Sequence, residues 1–217
     1  PVVVNDEESM LYHIDFSANE LALGGSAFFQ TLDKIGSEVP AVDAEYFRNT
    51  FIAVQQLVNE GLLMAGHDIS AGGMVTALLE VCFANTKGGM QIDLSVFEEK
   101  DIMKVLFAEN PGVLVQVAKD NAARVEAILE EAGVGFAVIG KPIAERTLYI
   151  NKEYTLDIDA MRDAWYSTSH LLDRKQSFHG CADERAKNYK NQPLVFDFKE
   201  TFTGKLAQYG LNPDRRK

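Results

Sequence analysis

Two spacings of apolar residues alternate along the first 175 residues of this 217-residue chain. Short runs rich in Val, Ile, Leu and aromatic residues are typical of strands, and longer stretches with an apolar residue at every third or fourth position are typical of amphipathic helices. The strand-like runs are MLYHIDF (10–16), LLMAGHD (62–68), GGMQIDLSV (88–96), GVLVQVA (112–118) and GFAVIGKP (135–142). This interleaving predicts an α+β fold, an α/β sandwich in which a mixed or antiparallel sheet packs against helices.

The helices between these runs have recognisable ends. Asp43 is a good N-cap for a helix over about 44–60, and Asp120 is expected to cap a helix that ends near Ala132. Further helices are predicted just after Gly24–Gly25, over about 71–84, over 98–107 and over 160–176. The side chains expected to face the core are Phe28, Leu32 and Ile35 in the first short helix, Phe47, Thr50, Phe51, Val54, Leu57 and Val58 in the second, and Met74, Ala77, Leu78, Val81 and Cys82 in the third.

Two local features complete the predicted layout. RTLYI and EYTLDI flank Asn151–Lys152 and predict a β-hairpin. LLMAGHD is expected to be a short buried strand. After about residue 175 the chain becomes polar and poor in aliphatic residues, which predicts a domain over 1–175 and, over 176–217, a polar extension or linker that packs on a neighbour.

Charge narrows the classes of partner. The net charge is −11 and the pI about 4.8, which disfavours nucleic acid or an anionic membrane as the main partner. No apolar run approaches the roughly 20 residues of a membrane span. Cys82 and Cys181 form no metal or disulfide motif, so two reduced thiols in a cytoplasmic protein are expected. A phosphorylated ligand stays possible, because local amides and a metal ion can outweigh global charge.

The stretch GHDISAGG (66–73) falls between a predicted strand and a predicted helix. The first amides of a helix have no partners inside it and carry partial positive charge, so this turn can hold an anion. Gly72 and Gly73 would let a phosphate approach the backbone, Asp68 could bind Mg²⁺, and Ser70 could cap the helix or contact a ligand. His67 could donate to a phosphate oxygen. A plain polar turn explains the same residues about equally well.

LGGSAF (23–28) is a second junction of this kind. Gly24, Gly25 and Ser26 could join the first turn around one anion, although a tight turn capped by Ser26 is the simpler explanation. Glu109, at the start of a strand, is a candidate second carboxylate near these loops, and a solvated side chain is its more usual state. His13, His170 and His179 show no ligand spacing and are assigned structural or surface roles.

These motifs, taken together, resemble the large phosphoribosylformylglycinamidine synthases, which belong to the superfamily of aminoimidazole ribonucleotide (AIR) synthetase and selenophosphate synthetase. The resemblance covers about residues 8–217, and the pairing of LGGSA with HDxSxGG is its most specific element. It is carried by LGGSAFFQTLDKIG (23–36), AEYFRNTFIAVQQLVNEGLLMAGHDISAGGMVTALLEVCFAN (44–85), LFAENPGVLVQV (106–117), ARVEAILEEAGV (123–134), VIGKP (138–142) and AWYSTSHLLDR (164–174).

The resemblance implies the fold of an AIR-synthetase C-terminal domain and a place as the second such unit in a longer chain. The family converts formylglycinamide ribonucleotide to formylglycinamidine ribonucleotide with ATP and glutamine, in purine biosynthesis. The implied partners are ATP-binding units and a glutaminase domain of the same polypeptide, and the implied cofactors are Mg²⁺ and ATP or ADP. Residue by residue, it implies metal binding by Asp68 and nucleotide binding by Ser70, with close approach at Gly72 and Gly73.

One departure from the family pattern, and two alternatives, accompany this interpretation. Many relatives have Asp after the serine, where this chain has Ala71. The chain could instead belong to another enzyme of the superfamily, or act in isolation as a non-catalytic interaction module that self-associates. Because the other family units are absent from the sequence, we expect this chain alone to have no synthase activity and to bind Mg-ATP weakly or not at all.

Overall fold

The computed structural model describes residues 8–191 and Lys205. These residues contain seven strands and seven α-helices, interleaved over most of their length in the predicted α+β arrangement. The strands are β1 Ser9–Asp15, β2 Leu63–Ile69, β3 Gly89–Ile92, β4 Gly112–Ala118, β5 Phe136–Ile143, β6 Thr147–Ile150 and β7 Tyr154–Asp157. The helices are α1 Ala27–Thr31, α2 Ala44–Asn59, α3 Gly73–Phe83, α4 Ile102–Phe107, α5 Ala122–Glu131, α6 Ile158–Gln176 and α7 Cys181–Asn188, with 3₁₀ turns at Lys119–Asn121 and Tyr189–Asn191.

The seven strands form one mixed sheet in the order β2-β4-β1-β5-β3-β6-β7. β3 and β6 pair in parallel, and the other paired strands run antiparallel. β4 is buried along most of its length because it lies between β2 and β1 and carries apolar side chains on both faces. The predicted mixed or antiparallel sheet packed against helices is therefore confirmed.

Helices cover the sheet from both sides. Successive residues of β1 point to opposite faces, so Tyr12 packs in the cluster under α2 and α5 while Leu11 packs in the cluster under α3 and α4. Leu57 of α2 and Leu78 of α3 are almost completely buried in these two clusters. Burial of one such side chain stabilises the fold by about 1.5–3 kcal/mol. Both helix layers therefore contribute to the stability of the sheet.

The hairpin predicted at Asn151–Lys152 is present between β6 and β7. Both residues have positive φ, 53° and 61°, which is the backbone of a type I′ turn. The Asn151 side chain also accepts a hydrogen bond from the Leu94 amide at 2.7 Å. The turn is thus tied to the segment that follows β3.

Four expectations about individual elements are wrong. The LLMAGHD run is an edge strand with exposed residues, because only β4 pairs with it. Ile35 is 83% exposed and Leu32 is 48% exposed, since α1 ends at Thr31. Asp120 makes no side-chain cap to α5, which begins after a 3₁₀ turn. The side of α2 that is buried carries Thr50, Ala53 and Leu57. Three residues of the predicted apolar stripe are therefore exposed, namely Phe47, Phe51 and Val58.

Among the described residues, 8–172 belong to one compact unit and 173–191 belong to a second. Within its described part, Arg185 bridges Asp173 at 2.6 Å and contacts Ser177. The polar segment contains a helix, α7. The predicted domain boundary at 175/176 stays a prediction. Among the described helices, none combines the length and the hydropathy that a membrane span requires.

His13 makes the stability of the fold depend on pH. Its ring packs edge-on against Phe97, with 5.3 Å between ring centroids. Burial lowers the pKa of His13 to about 4, against a smaller opposing effect of Asp15. Because the unfolded chain takes up this proton near its ordinary pKa of about 6.5, the folded state loses stability as pH falls from about 6.5 to about 4.

We expect His13 to account for about 2 kcal/mol of the stability lost between about pH 7.5 and about pH 5. Urea unfolding at the two pH values, on the wild-type chain and on His13→Gln, measures this contribution. The variant should lose about 2 kcal/mol less than the wild type, and the exposed control His179→Gln should match the wild type. Equal losses in His13→Gln and the wild type would show that the folded chain does not lower the pKa of His13.

Candidate functional site

The GHDISAGG stretch contains the end of β2, the turn at residues 70–72 and the first residue of α3. The Gly73 amide donates to the Ser70 carbonyl at 3.0 Å, and Gly72 and Gly73 have φ of +91° and +72°. Gly72 occupies the N-cap position of α3, where no side chain caps the helix. Ser70 therefore does not cap α3, contrary to one expectation, and its side chain lies at the exposed surface.

Glu109 joins the two glycine loops. Its Oε1 atom accepts a hydrogen bond from the Gly72 amide at 2.8 Å and another from the Ala27 amide at 2.8 Å. These amides lie at the N-termini of α3 and α1, where helical amides have no partner within the helix. The structure thus brings the two loops together around the carboxylate of Glu109, which occupies the position predicted for a bound anion.

The other polar groups of the LGGSAF loop are satisfied within the chain. Ser26 is 1% exposed; its hydroxyl accepts from the Phe29 amide at 3.2 Å and donates to the Leu23 carbonyl at 2.6 Å. The Gly24 and Gly25 amides donate to the carbonyls of Glu38 and Ile35, both at 2.7 Å. Ser26 therefore caps α1, and this loop has a structural role in the described chain.

Gly73 is packed against backbone. A Cβ atom on Gly73 would lie 2.7 Å from the Leu106 carbonyl oxygen and 2.7 Å from Cα of Phe107. A Cβ atom on Gly72 would overlap the Thr76 side chain. Gly73 thus lets the turn approach the end of α4, and Gly72 leaves room for the Thr76 side chain of α3. These contacts explain both glycines without a ligand.

His67 is held between β2 and α3. Its Nδ1 atom lies 2.7 Å from the Asp68 carbonyl oxygen, and its Nε2 atom lies 3.5 Å from a carboxylate oxygen of Glu80. The other Glu80 oxygen accepts a hydrogen bond from the Trp165 indole at 2.8 Å. Glu80 and Trp165 were not identified from the sequence; the position of Glu80, two residues from the buried Leu78 and Cys82, marks it only as a residue outside the apolar stripe.

Asp68 presents its carboxylate to solvent. The side chain is 76% exposed, and one carboxylate oxygen lies 3.7 Å from His67 Nδ1. An exposed carboxylate fits the hard oxygen ligation that Mg²⁺ prefers. Within residues 8–191, however, no group of three or more His, Cys, Asp or Glu side chains is placed to hold a metal. Asp68 alone therefore makes no metal site among the described residues, although its exposed carboxylate has the chemistry of a single Mg²⁺ ligand.

Two open clefts in the described chain lie away from Asp68 and Ser70. The larger, of about 800 Å³, is lined by several acidic side chains, including Asp15, Glu20 and Glu98. The smaller, of about 430 Å³, lies beside β1, β3 and β5. An acidic cleft repels phosphate, so the larger cleft is a poor place for the phosphates of a nucleotide, and Asp68 with Ser70 remains at an open surface.

Comparisons with known proteins give a consistent assignment. Residues 12–152 match the family model described as AIR synthase related protein, C-terminal domain. The chain is 32% identical over 189 residues to a probable phosphoribosylformylglycinamidine synthase, chloroplastic/mitochondrial, of Arabidopsis thaliana. It is 30% identical over 188 residues to probable membrane antigen 75 of Saimiriine herpesvirus 2. Each alignment covers 85% of this chain but only 13% and 14%, respectively, of the length of the relative.

Solved structures support the same fold. PurL of T. maritima complexed with FGAR superposes with a TM-score of 0.58 at 19% identity, over 72% of this chain and 28% of PurL. PurL complexed with ATP gives a TM-score of 0.56 at 17% identity, over 72% of this chain and 26% of PurL. At these identities the likeness concerns the fold.

A pair of glycine substitutions separates packing from ligand approach. Gly73 and Gly61 have nearly equal positive φ, +72° and +68°, but a Cβ on Gly61 would meet no atom within 4 Å. Gly61→Ala should therefore cost about 1 kcal/mol of unfolding free energy, from backbone strain alone. Gly73→Ala should cost about 3 kcal/mol, because it adds a clash with backbone.

Urea unfolding of both variants and the wild type measures this difference. An equal loss of unfolding free energy in the two variants would show that the Gly73 turn does not depend on contact with the end of α4. Close approach of a ligand would then be the better explanation of Gly73.

Proposed function

Because the chain belongs to the AIR synthase related family, of which it has the C-terminal domain, we propose that it forms part of a phosphoribosylformylglycinamidine synthase. The observation that carries the proposal is the 32% identity to the Arabidopsis relative over 85% of this chain. That enzyme class is a C–N ligase of de novo purine biosynthesis, which converts formylglycinamide ribonucleotide to formylglycinamidine ribonucleotide with ATP and with glutamine as the amide donor.

In this proposal the chain contributes Asp68 and Ser70 to a Mg-nucleotide site. Both side chains are exposed at the end of β2, two residues apart and just before the N-terminus of α3. Magnesium, when bound, would neutralise phosphate charge. Asp68 would hold the ion through a carboxylate oxygen, and Ser70 would donate its hydroxyl to the nucleotide. His67, fixed by Glu80, would keep the Asp68 backbone in place.

The remaining ligands would come from other domains of the same polypeptide. The described residues supply one exposed carboxylate at this position and no metal cluster. The chain spans 13% of the Arabidopsis relative, which leaves room for ATP-binding units and a glutaminase domain. A site shared between domains would give catalysis only in the complete protein, and we place that protein in the cytoplasm.

Exposed apolar side chains support such an arrangement. Ile35 and Val39 are 83% and 64% exposed, and Phe51 and Ile52 of α2 are 51% and 54% exposed. A contiguous exposed apolar patch is typical of a surface that another protein domain covers, and we propose that these side chains belong to such a surface. In isolation the same side chains would favour self-association.

A second candidate is an interaction module without catalysis. The observation that favours it is the herpesvirus relative, whose name, probable membrane antigen 75, is not that of an enzyme, at 30% identity over 85% of the chain. The two candidates differ in whether function requires Asp68 and Ser70. A synthase needs them to bind nucleotide, whereas an interaction module would tolerate their substitution.

Substitutions in the full-length protein test the proposed synthase. Asp68→Asn should lower kcat/KM for ATP by about 100-fold, because a lost charge-stabilising group typically costs 10²–10³-fold in rate. Ser70→Ala should act mainly by raising KM for ATP. Asp120→Asn, at another exposed aspartate, should leave both constants unchanged.

Steady-state kinetics with formylglycinamide ribonucleotide, glutamine and Mg-ATP measures these effects. Unchanged kinetics in Asp68→Asn and Ser70→Ala would remove these residues from the nucleotide site. ATP-dependent turnover by this 217-residue chain alone would contradict a site shared between domains.

A further inference from the structure

The contacts of Glu109 join parts of the chain that are far apart in sequence. One oxygen atom accepts amides from Ala27 and Gly72, each at 2.8 Å. A carboxylate holds such donors about twice as strongly as a neutral acceptor does. Both amides also lie at the positive ends of helices, which stabilises a negative charge between them.

The segment that carries Glu109 is anchored on both sides. Before it, the Phe107 ring stacks on Phe28, with 4.5 Å between ring centroids. After it, the Asn110 side chain, 4% exposed, accepts from the Ala22 amide at 3.1 Å and donates to the Glu20 carbonyl at 3.1 Å. Glu109 is therefore placed by the neighbouring fold, and its carboxylate meets the two loops in a defined position.

We propose that Glu109 is a positioning residue that clamps the two glycine loops and takes the place of an external anion where they meet. The clamp holds the β2–α3 turn, and with it Asp68 and Ser70, against the loop that begins α1. The effect on nucleotide binding rests on the proposed synthase function; the clamp itself does not.

One consequence concerns where a phosphate binds. The Gly72 amide, the natural donor to a phosphate at the start of α3, already donates to Glu109. A phosphate group at this site therefore approaches from the Asp68–Ser70 side of the turn. Glu109 was a candidate ligand for substrate. Its proposed role is instead to fix the turn that carries Asp68 and Ser70.

Amide hydrogen exchange in this chain tests the clamp directly. In Glu109→Ala, the Ala27 and Gly72 amides should exchange about tenfold faster than in the wild type, since each loses a charge-assisted hydrogen bond. Glu109→Gln, which keeps an oxygen acceptor without the charge, should show a smaller increase. Glu130→Ala, at an exposed glutamate of α5, should leave both amides unchanged.

Chemical rescue separates a missing anion from general damage. Sodium acetate, compared with sodium chloride at equal ionic strength, should slow exchange of both amides in Glu109→Ala and leave the wild type unaffected. Unchanged exchange in Glu109→Ala would overturn the clamp. Faster exchange without an acetate effect would overturn the role as a replacement anion. If Glu109→Ala does not fold, wild-type exchange at both amides in Glu109→Gln would overturn the clamp.

Kinetics of the full-length protein then test the positioning role. Glu109→Ala should raise KM for ATP at least tenfold, and Glu109→Gln should recover most of the loss. Equal defects in the two variants, or none, would overturn positioning by Glu109. A failure of the proposed synthase would look different, because Asp68→Asn would then also have no effect while the exchange and rescue results would stand.

Discussion

One carboxylate oxygen of Glu109 links the N-terminus of α1 to the N-terminus of α3. The β2–α3 turn approaches the end of α4 so closely that only glycine fits at position 73, and Glu109 follows α4 by two residues. The short helix α1 is joined to the same point through its first amide. The position of Asp68 and Ser70 at the surface therefore depends on an interaction on the inner side of the turn.

The repeating patterns of the sequence were enough to predict the α+β fold and most elements. Asp43 and the apolar spacing placed α2 at about 44–60, and the helix runs from Ala44 to Asn59. α3 starts at Gly73, two residues later than predicted, because Gly72 has a left-handed backbone, with φ of +91°, and occupies the N-cap position. Local patterns carry this information because helix caps and glycine backbone preferences act over a few residues.

The partners of the candidate site depend on tertiary contacts that local patterns do not encode. Glu109 is 37 residues from Gly72 and 82 from Ala27, and the order of strands in the sheet decides that they meet. The edge position of β2 likewise follows from strand order and leaves Asp68 exposed. The turn motif identified Asp68 and Ser70 as candidates, and the resemblance to known synthases assigned them metal and nucleotide roles. The link from Glu80 to His67 and Trp165 emerged only from the fold.

A crystal structure of the full-length protein with Mg-ADP tests most directly whether ligands approach from the Asp68 side while Glu109 stays in place. We expect an Asp68 carboxylate oxygen about 2.1 Å from the metal, the Ser70 hydroxyl within hydrogen-bond distance of the nucleotide, and Glu109 still bound to the Ala27 and Gly72 amides. A phosphate on the Gly72 amide, with the Glu109 side chain displaced, would contradict this account.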